Sequence, residues 1–375
     1  MLRPRTLGLS KRGKQLMIGP MICRLVLLSF FAFSSLAEEG FKPLFNGKTL
    51  AGWRNINCGP KTWTVKDGMI HCTGKPIGEL RTLQMYENFI LEMEWRHLQP
   101  KGNAGLFVWA DAYTAKGVPF HRGVEVQILD GREGAGHTSD GDIFPIHGAK
   151  MTPLNGRGDS RAFPIEKRSK PSPEWNHYRV VCNNGEISLA VNGKVVTRGK
   201  AASPRNGYIC LESEGSPVQF RNLKIKKLPS TNPKPEEIAK ADSGFHSLYN
   251  GIDLAGWRGK GWTANDWRLT TKGGSPLRTE KKFTSYVMFA DFRGNGIEAP
   301  LELPNVGALG ELKNLSKGWN RVRVTRRLGE SIIELNGKVV SHFKICESGP
   351  LKSGPFILNP TVATQFANIF VKELK

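Results

Sequence analysis

Apolar and polar side chains alternate with a period of two along most of this chain. Phe89, Leu91, Met93 and Trp95 alternate with Ile90, Glu92, Glu94 and Arg96, the pattern of a strand with one face in a core. Tyr286, Met288, Ala290 and Phe292 repeat it against Phe289, Asp291 and Arg293. Residues 177–182, 187–191 and 195–198, separated by Asn183-Asn184-Gly185 and Asn192-Gly193, predict a three-stranded meander, because Asn-Gly supplies the positive φ angles of a type I′ hairpin. Residues 332–335 and 339–343 around Asn336-Gly337 predict its counterpart. Sustained helical periodicity is missing apart from a short turn at 235–241. Many short strands with regular turn signals predict an all-β chain of two tandem antiparallel β-sandwiches.

The chain says nearly the same thing twice. FKPLFNGKTLAGW, ending at Trp53, returns as FHSLYNGIDLAGW, ending at Trp257; an LRT, a Trp-Asn pair, an NGKVV hairpin and a Phe-x-Asn strand follow in both. The offset between copies is 204 residues at Trp53/Trp257, 197 at Leu80/Leu277 and 144 at Trp175/Trp319, so 53 residues are missing from copy two, all from the stretch matching 96–175. Three prolines in 229–235 interrupt pairing. The expected organisation is a first sandwich at 40–228, a linker at 229–243 and a shortened copy at 244–375.

The first 37 residues carry six basic and no acidic side chains, then an apolar run at 25–33 and the small-residue site Ser35-Leu36-Ala37. This predicts a signal peptide cleaved after Ala37, too short in its apolar part to span a membrane, and hence a periplasmic or extracellular protein. The whole chain has a net charge of +21, and +15 (48 − 33) without that segment. The charge is dispersed, and no basic helix, zinc-finger spacing or aromatic single-strand platform points to nucleic acid. Five cysteines follow the signal. Cys58–Cys72 and Cys182–Cys210 are the pairings considered, Cys346 is left over, and no spacing matches a zinc site.

The polar residues concentrate where copy two is short: NAGLFVWADAY (103–113), PFHRGVEVQILDG (119–131), SDGDIFPIHGA (139–149) and Arg161. On a strand, Glu125, Gln127 and Leu129 project to one face and Val124, Val126 and Ile128 to the other. A carboxylate and a carboxamide on a packed strand form a rigid platform for sugar hydroxyls and for moving a proton. The ordinary reading of such a strand is a solvated sheet face. Against it stand His121, Arg122 and Asp130 at the platform's ends, Trp109 and Tyr113 nearby to stack on a sugar ring, and the loss of this block from copy two. His147 is either a site residue or a buried, hydrogen-bonded histidine, and His177, which aligns with Arg321, reads as structural. Glu212 and Glu214 are candidates to complete the same face.

In order, FKPLFNGKTLAGW, LRT…YENFILEMEWR, NAGLF, GVEVQILDG, EWNHYRV, NGK and SPVQFRNLKIKKL resemble the 3-keto-disaccharide hydrolase domain family, over 40–228 closely and 244–375 loosely. The resemblance implies a jelly-roll sandwich of the concanavalin A-like lectin and glucanase type. It also implies a distinctive chemistry. Once a separate oxidoreductase has converted the C3 hydroxyl to a ketone, the C2 proton is acidic; one base removes it, the enolate expels the C1 oxygen, and water adds back. The base is then Glu125 or His147. Trp109, His121, Arg122, Gln127 and Asp130 bind substrate, and Asp130 or Asp142 orient groups or hold a divalent metal, which the chemistry allows without requiring. Related glucanases carry Glu-x-Asp-x-Glu, where this chain reads Glu125-Val-Gln127-Ile-Leu129-Asp130, which disfavours a retaining double displacement. Copy two is expected to be non-catalytic. The competing readings are a lectin-like glycan-binding protein using the same face without turnover, and a basic cell-surface scaffold.

Overall fold

A computed structural model describes residues 39–130, 140–294, 301–309, 312, 315–344, 349–360 and 365–375. The expected signal peptide and Cys346 lie outside the described residues. Among those described, the strands form four sheets, of nine and six strands within 42–227 and of eight and five strands within 246–373. The strand pairings are antiparallel throughout. Each half is therefore a pair of sheets, and the chain is all-β, of the jelly-roll class. Among the described residues, no helix is long and apolar enough to cross a membrane.

Local sequence explains the elements. The meander is Asn176–Asn183, Glu186–Val191 and Lys194–Ser203, and its second turn has Asn192 and Gly193 both at positive φ, 47° and 89°. Phe89, Leu91, Met93 and Trp95 lie buried on one face of the nine-stranded sheet and share a core with Leu106, Val108, Val124, Val126 and Ile128 of the six-stranded one. Each such side chain contributes about 1.5–3 kcal/mol by leaving water. The Tyr178 hydroxyl donates to the Gln127 carbonyl at 2.8 Å and so ties the two sheets together behind the polar face.

The second copy departs from its expected pattern. Phe289 and Asp291, read as the outward face of their strand, are buried, because that face packs on the first sandwich: Phe289, Phe245 and Phe370 surround Tyr113, and Asp291 accepts the Gly117 N–H at 2.8 Å. Arg321 grips Asp291 at 2.6 and 2.8 Å and also donates to the Thr114 carbonyl at 3.0 Å. Nor is the proline-rich segment a free tether. Asn88 donates to the Pro229 carbonyl at 2.7 Å, Arg205 pairs with Glu237 at 3.0 Å, and Asp242 receives Arg54, Arg81 and Tyr113, each at 2.5 Å.

Candidate active site

The site is built on the six-stranded sheet, in the order Trp53–Ile56, Gly78–Thr82, Tyr208–Ser213, Asn103–Ala110, Gly123–Leu129, Ile143–Ile146. Register places Gln127 opposite Gly105 and Glu125 opposite Phe107, Leu106 opposite Leu211, and Glu212 opposite Glu79. Because side chains alternate across a strand, Glu125, Gln127, Gly105, Asn103, Glu212, Glu214, Cys210, Glu79 and Arg81 all stand on the face turned away from the core.

Gly105 is the centre of this face. A Cβ there would lie 2.9 Å from Glu212 Oε2 and 3.0 Å from Glu125 Oε1, so the missing side chain is what lets the two carboxyls converge. Gln127 donates to Asn103 Oδ1 at 2.7 Å and to the Ala104 carbonyl at 3.2 Å, and Asn103 in turn donates to Glu214. Asp142 is buried and pairs with Arg161 at 3.2 Å, whose guanidinium lies 3.4 Å over the Phe144 ring. The face is more enclosed than its outward register suggested: Glu125 is 7% and Gln127 2% exposed, while Asn103, Phe144, Arg161 and Glu214 form a half-buried rim.

Burial first, then the charge on Glu214, push the Glu125 carboxyl well above the ordinary glutamate range; Arg161 opposes this, and Glu79 and Asp142 add to it. Glu212 is pushed the same way by burial and by Glu214, Glu125 and Glu79, and its Oε2 has no hydrogen-bond partner. Two acidic groups this close titrate as a pair, and the pair keeps a proton to higher pH than isolated glutamates would.

Several expected site residues lie elsewhere. Trp109 is fully buried, donates its indole N–H to the Glu87 carbonyl at 2.7 Å and packs edge-on against Phe89. It shares parity with Asn103 and Gly105, but a register shift between Tyr208 and Cys210 and its own φ of 54° turn the ring into the core, so it cannot stack on a sugar. Asp130 has the parity of the core-facing residues. Its carboxylate accepts the N–H groups of Lys101 at 3.1 Å and Ser172 at 3.2 Å, a loop clamp rather than a substrate or metal contact. Arg122 is engaged by Asp111 at 3.0 and 3.1 Å and lines a separate cavity of about 550 Å³ with Tyr113, His147, Phe289 and Arg321, so it does not reach the Glu125 face. His147 has an exposed edge and stacks on Phe120; desolvation on that side holds its pKa below the usual histidine value. His121 is fully buried on Glu79, which excludes it as a solvent-facing substrate contact. The four described cysteines are all free and buried, against both pairings considered.

Glu79 is not among the residues the sequence singles out, because the repeat is marked by the LRT at 80–82 that follows it. Copy two has Ser275-Pro276 where copy one has Gly78-Glu79, and that difference was the available signal.

Residues 40–226 match the sequence profile of the 3-keto-alpha-glucoside-1,2-lyase-like domain. The chain is 24% identical to a 3-keto-disaccharide hydrolase of Bacteroides thetaiotaomicron over 234 residues, covering 51% of this chain and 79% of the relative. Among solved structures, a Parabacteroides distasonis protein provisionally named a glycosyl hydrolase is 26% identical over 51% of this chain and 95% of its own, with a TM-score of 0.41. A Bacillus licheniformis beta-glucanase is 13% identical over 50% and 97%, with a TM-score of 0.35. Through its amino-terminal sandwich, this chain belongs to the carbohydrate-active, hydrolase-like family of 3-keto-alpha-glucoside-1,2-lyase-like domains.

Proposed function

We propose that the protein is exported and cleaves 3-keto-glycosides by removing the C2 proton, with Glu125 as base and Glu212 as acid. The observation that carries this reading is the convergence of the two carboxyls over Gly105 in surroundings that keep a proton on the pair. The ionised Glu125 takes the C2 proton, which the adjacent C3 ketone has made acidic. The electron pair forms the C1–C2 double bond as the C1–O bond breaks, and the Glu212 carboxyl protonates the departing oxygen. Water then adds across the double bond: Glu212, now ionised, accepts its proton as oxygen bonds C1, and the Glu125 carboxyl, its proton exchanged with solvent before hydration, protonates C2. Both groups end as they began.

The neighbours suit these roles. Gln127, held by Asn103, offers its remaining amide valences to a substrate hydroxyl, and Arg161 at the rim offers donors to the C3 oxygen as negative charge develops there. Ketone formation at C3 is left to a separate oxidoreductase acting beforehand. The test is a substrate pair: the intact protein should release the aglycone from an aryl 3-keto-glucoside and leave the unoxidised glucoside untouched. Saturable binding of either sugar without any product would favour the lectin reading and overturn this one.

A further inference from the structure

Below the Glu125–Glu212 pair, the same sheet face carries a second constellation that the proposed reaction does not use. Glu79, on Gly78–Thr82, and Cys210, on Tyr208–Ser213, are diagonal neighbours, since Glu79 opposes Glu212 and Arg81 opposes Cys210. His121 arrives from the segment before Gly123–Leu129 and is fixed by its own backbone N–H, which donates to Glu79 Oε1 at 2.9 Å. Its Nδ1 lies 3.0 Å from Glu79 Oε2 and 3.5 Å from Cys210 Sγ, and one donor atom from each residue falls within 4.8 Å of the others. All three residues are fully buried.

Hydrogen bonding accounts for only part of this arrangement, since Cys210 Sγ bonds to His121 Nδ1 at 3.5 Å while other polar atoms of the cluster stay unpaired. Glu79 Oε2 has no hydrogen-bond partner although Nδ1 is only 3.0 Å away, so the ring N–H is not directed at it. A charged imidazolium would donate from both nitrogens, and His121 Nε2 has no acceptor. Two close, buried, unsatisfied groups are costly as they stand. Donor atoms of three residues that converge on one point, with the Glu79 oxygen unpaired and the thiol free to give up its proton, are what a cation requires.

We propose that Glu79, His121 and Cys210 form a transition-metal site, with zinc the ion best suited to the donor set. Tetrahedral zinc with ordinary bond lengths sets a sulfur–nitrogen edge of about 3.6 Å and an oxygen–nitrogen edge of about 3.4 Å. The first is already met, and the second requires Glu79 to withdraw by about 0.4 Å. A carboxylate, a thiolate and a neutral imidazole balance a divalent ion with no net charge left in the buried site. Sulfur and nitrogen donors select against calcium and magnesium. The cationic neighbour Arg81 is engaged by Asp242 at 2.5 Å and lies over the Tyr208 ring. Binding releases the Cys210 proton, and the three ligands leave a fourth position free.

The test needs no substrate. The intact protein is stripped with chelator, equilibrated with Zn²⁺ and desalted, and its metal content is measured; a parallel sample is loaded with Co²⁺ for absorption spectroscopy. One zinc per chain is expected, with a thiolate-to-cobalt charge-transfer band that Cys210→Ser abolishes. His121→Gln should weaken zinc binding by at least about tenfold, since even outer-shell losses cost that much. Near-UV circular dichroism confirms that each variant is folded, and the wild-type cobalt spectrum is decisive if one is not. Folded wild-type protein that retains neither ion, or binding unchanged in both variants, overturns the proposal. Failure to cleave a 3-keto-glycoside would leave it standing, because no readout depends on turnover.

Discussion

Glu125 and Glu212 stand on strands that are not neighbours, yet a single carbon added to Gly105 on the strand between them would press on an oxygen of each, at 3.0 and 2.9 Å. Gly105→Ala is therefore the least disruptive way to separate the pair. Its expected effect is a loss of kcat on the order of a hundredfold, as for an ångström-scale misplacement of reacting groups, with a folded protein retained. Single-turnover kinetics beside a thermal melt check this.

The pair's protonation gives a stability prediction with a definite sign. Both carboxyls are raised above the ordinary value of 4.5, so the folded chain holds more protons than the unfolded chain once the pH passes that value. The pair's contribution to stability then falls as pH rises from about 4.5 toward the folded-state pKa values. Glu212→Gln removes one of these groups. The variant should melt higher than wild type at neutral and alkaline pH, match it near about pH 4, and lose activity throughout. Melting curves across pH, with parallel rate measurements, test both parts.

Trp109 was expected to contact sugar, and its position assigns it to the core instead. Trp109→Ala should cost about 3–5 kcal/mol of stability, while Trp109→Phe, which keeps a ring but loses the bond to the Glu87 carbonyl, should leave KM unchanged. Denaturant titration and steady-state kinetics separate the two effects.

Asp291 connects the shortened copy to the first sandwich. Its buried carboxylate serves Gly117, Arg321 and Asn368 together. Asp291→Ala leaves Arg321 without its partner and should destabilise the protein by about 3–5 kcal/mol. Hydrogen exchange should rise first in 114–118, the segment held by these bonds.

The strands were legible because their physics is local. Val124, Val126 and Ile128 mark a core face by alternation, and Asn192-Gly193 specifies its own turn. Placing Glu125 and Gln127 on one polar face needed nothing more. What alternation could not supply was the set of side chains that neighbouring strands contribute, since the opposition of Glu79 to Glu212 is a matter of register between segments more than 130 residues apart. Alternation also failed where the ladder is irregular. Trp109 changes face at a register shift, and Asp130 leaves the platform at the strand's end to hold two loop N–H groups. The free thiols were missed for another reason: cysteine spacing carries no information on which strands become neighbours.

The most direct measurement follows the proton itself. The protein turns over an aryl 3-keto-glucoside in D₂O, and the C2 position of the sugar product is read by NMR and mass spectrometry within one turnover time, against a no-enzyme control. The account predicts deuterium at C2 from wild type, and neither deuterium nor aglycone release from Glu125→Gln. Aglycone released with C2 hydrogen fully retained, or turnover undiminished in Glu125→Gln, would contradict it.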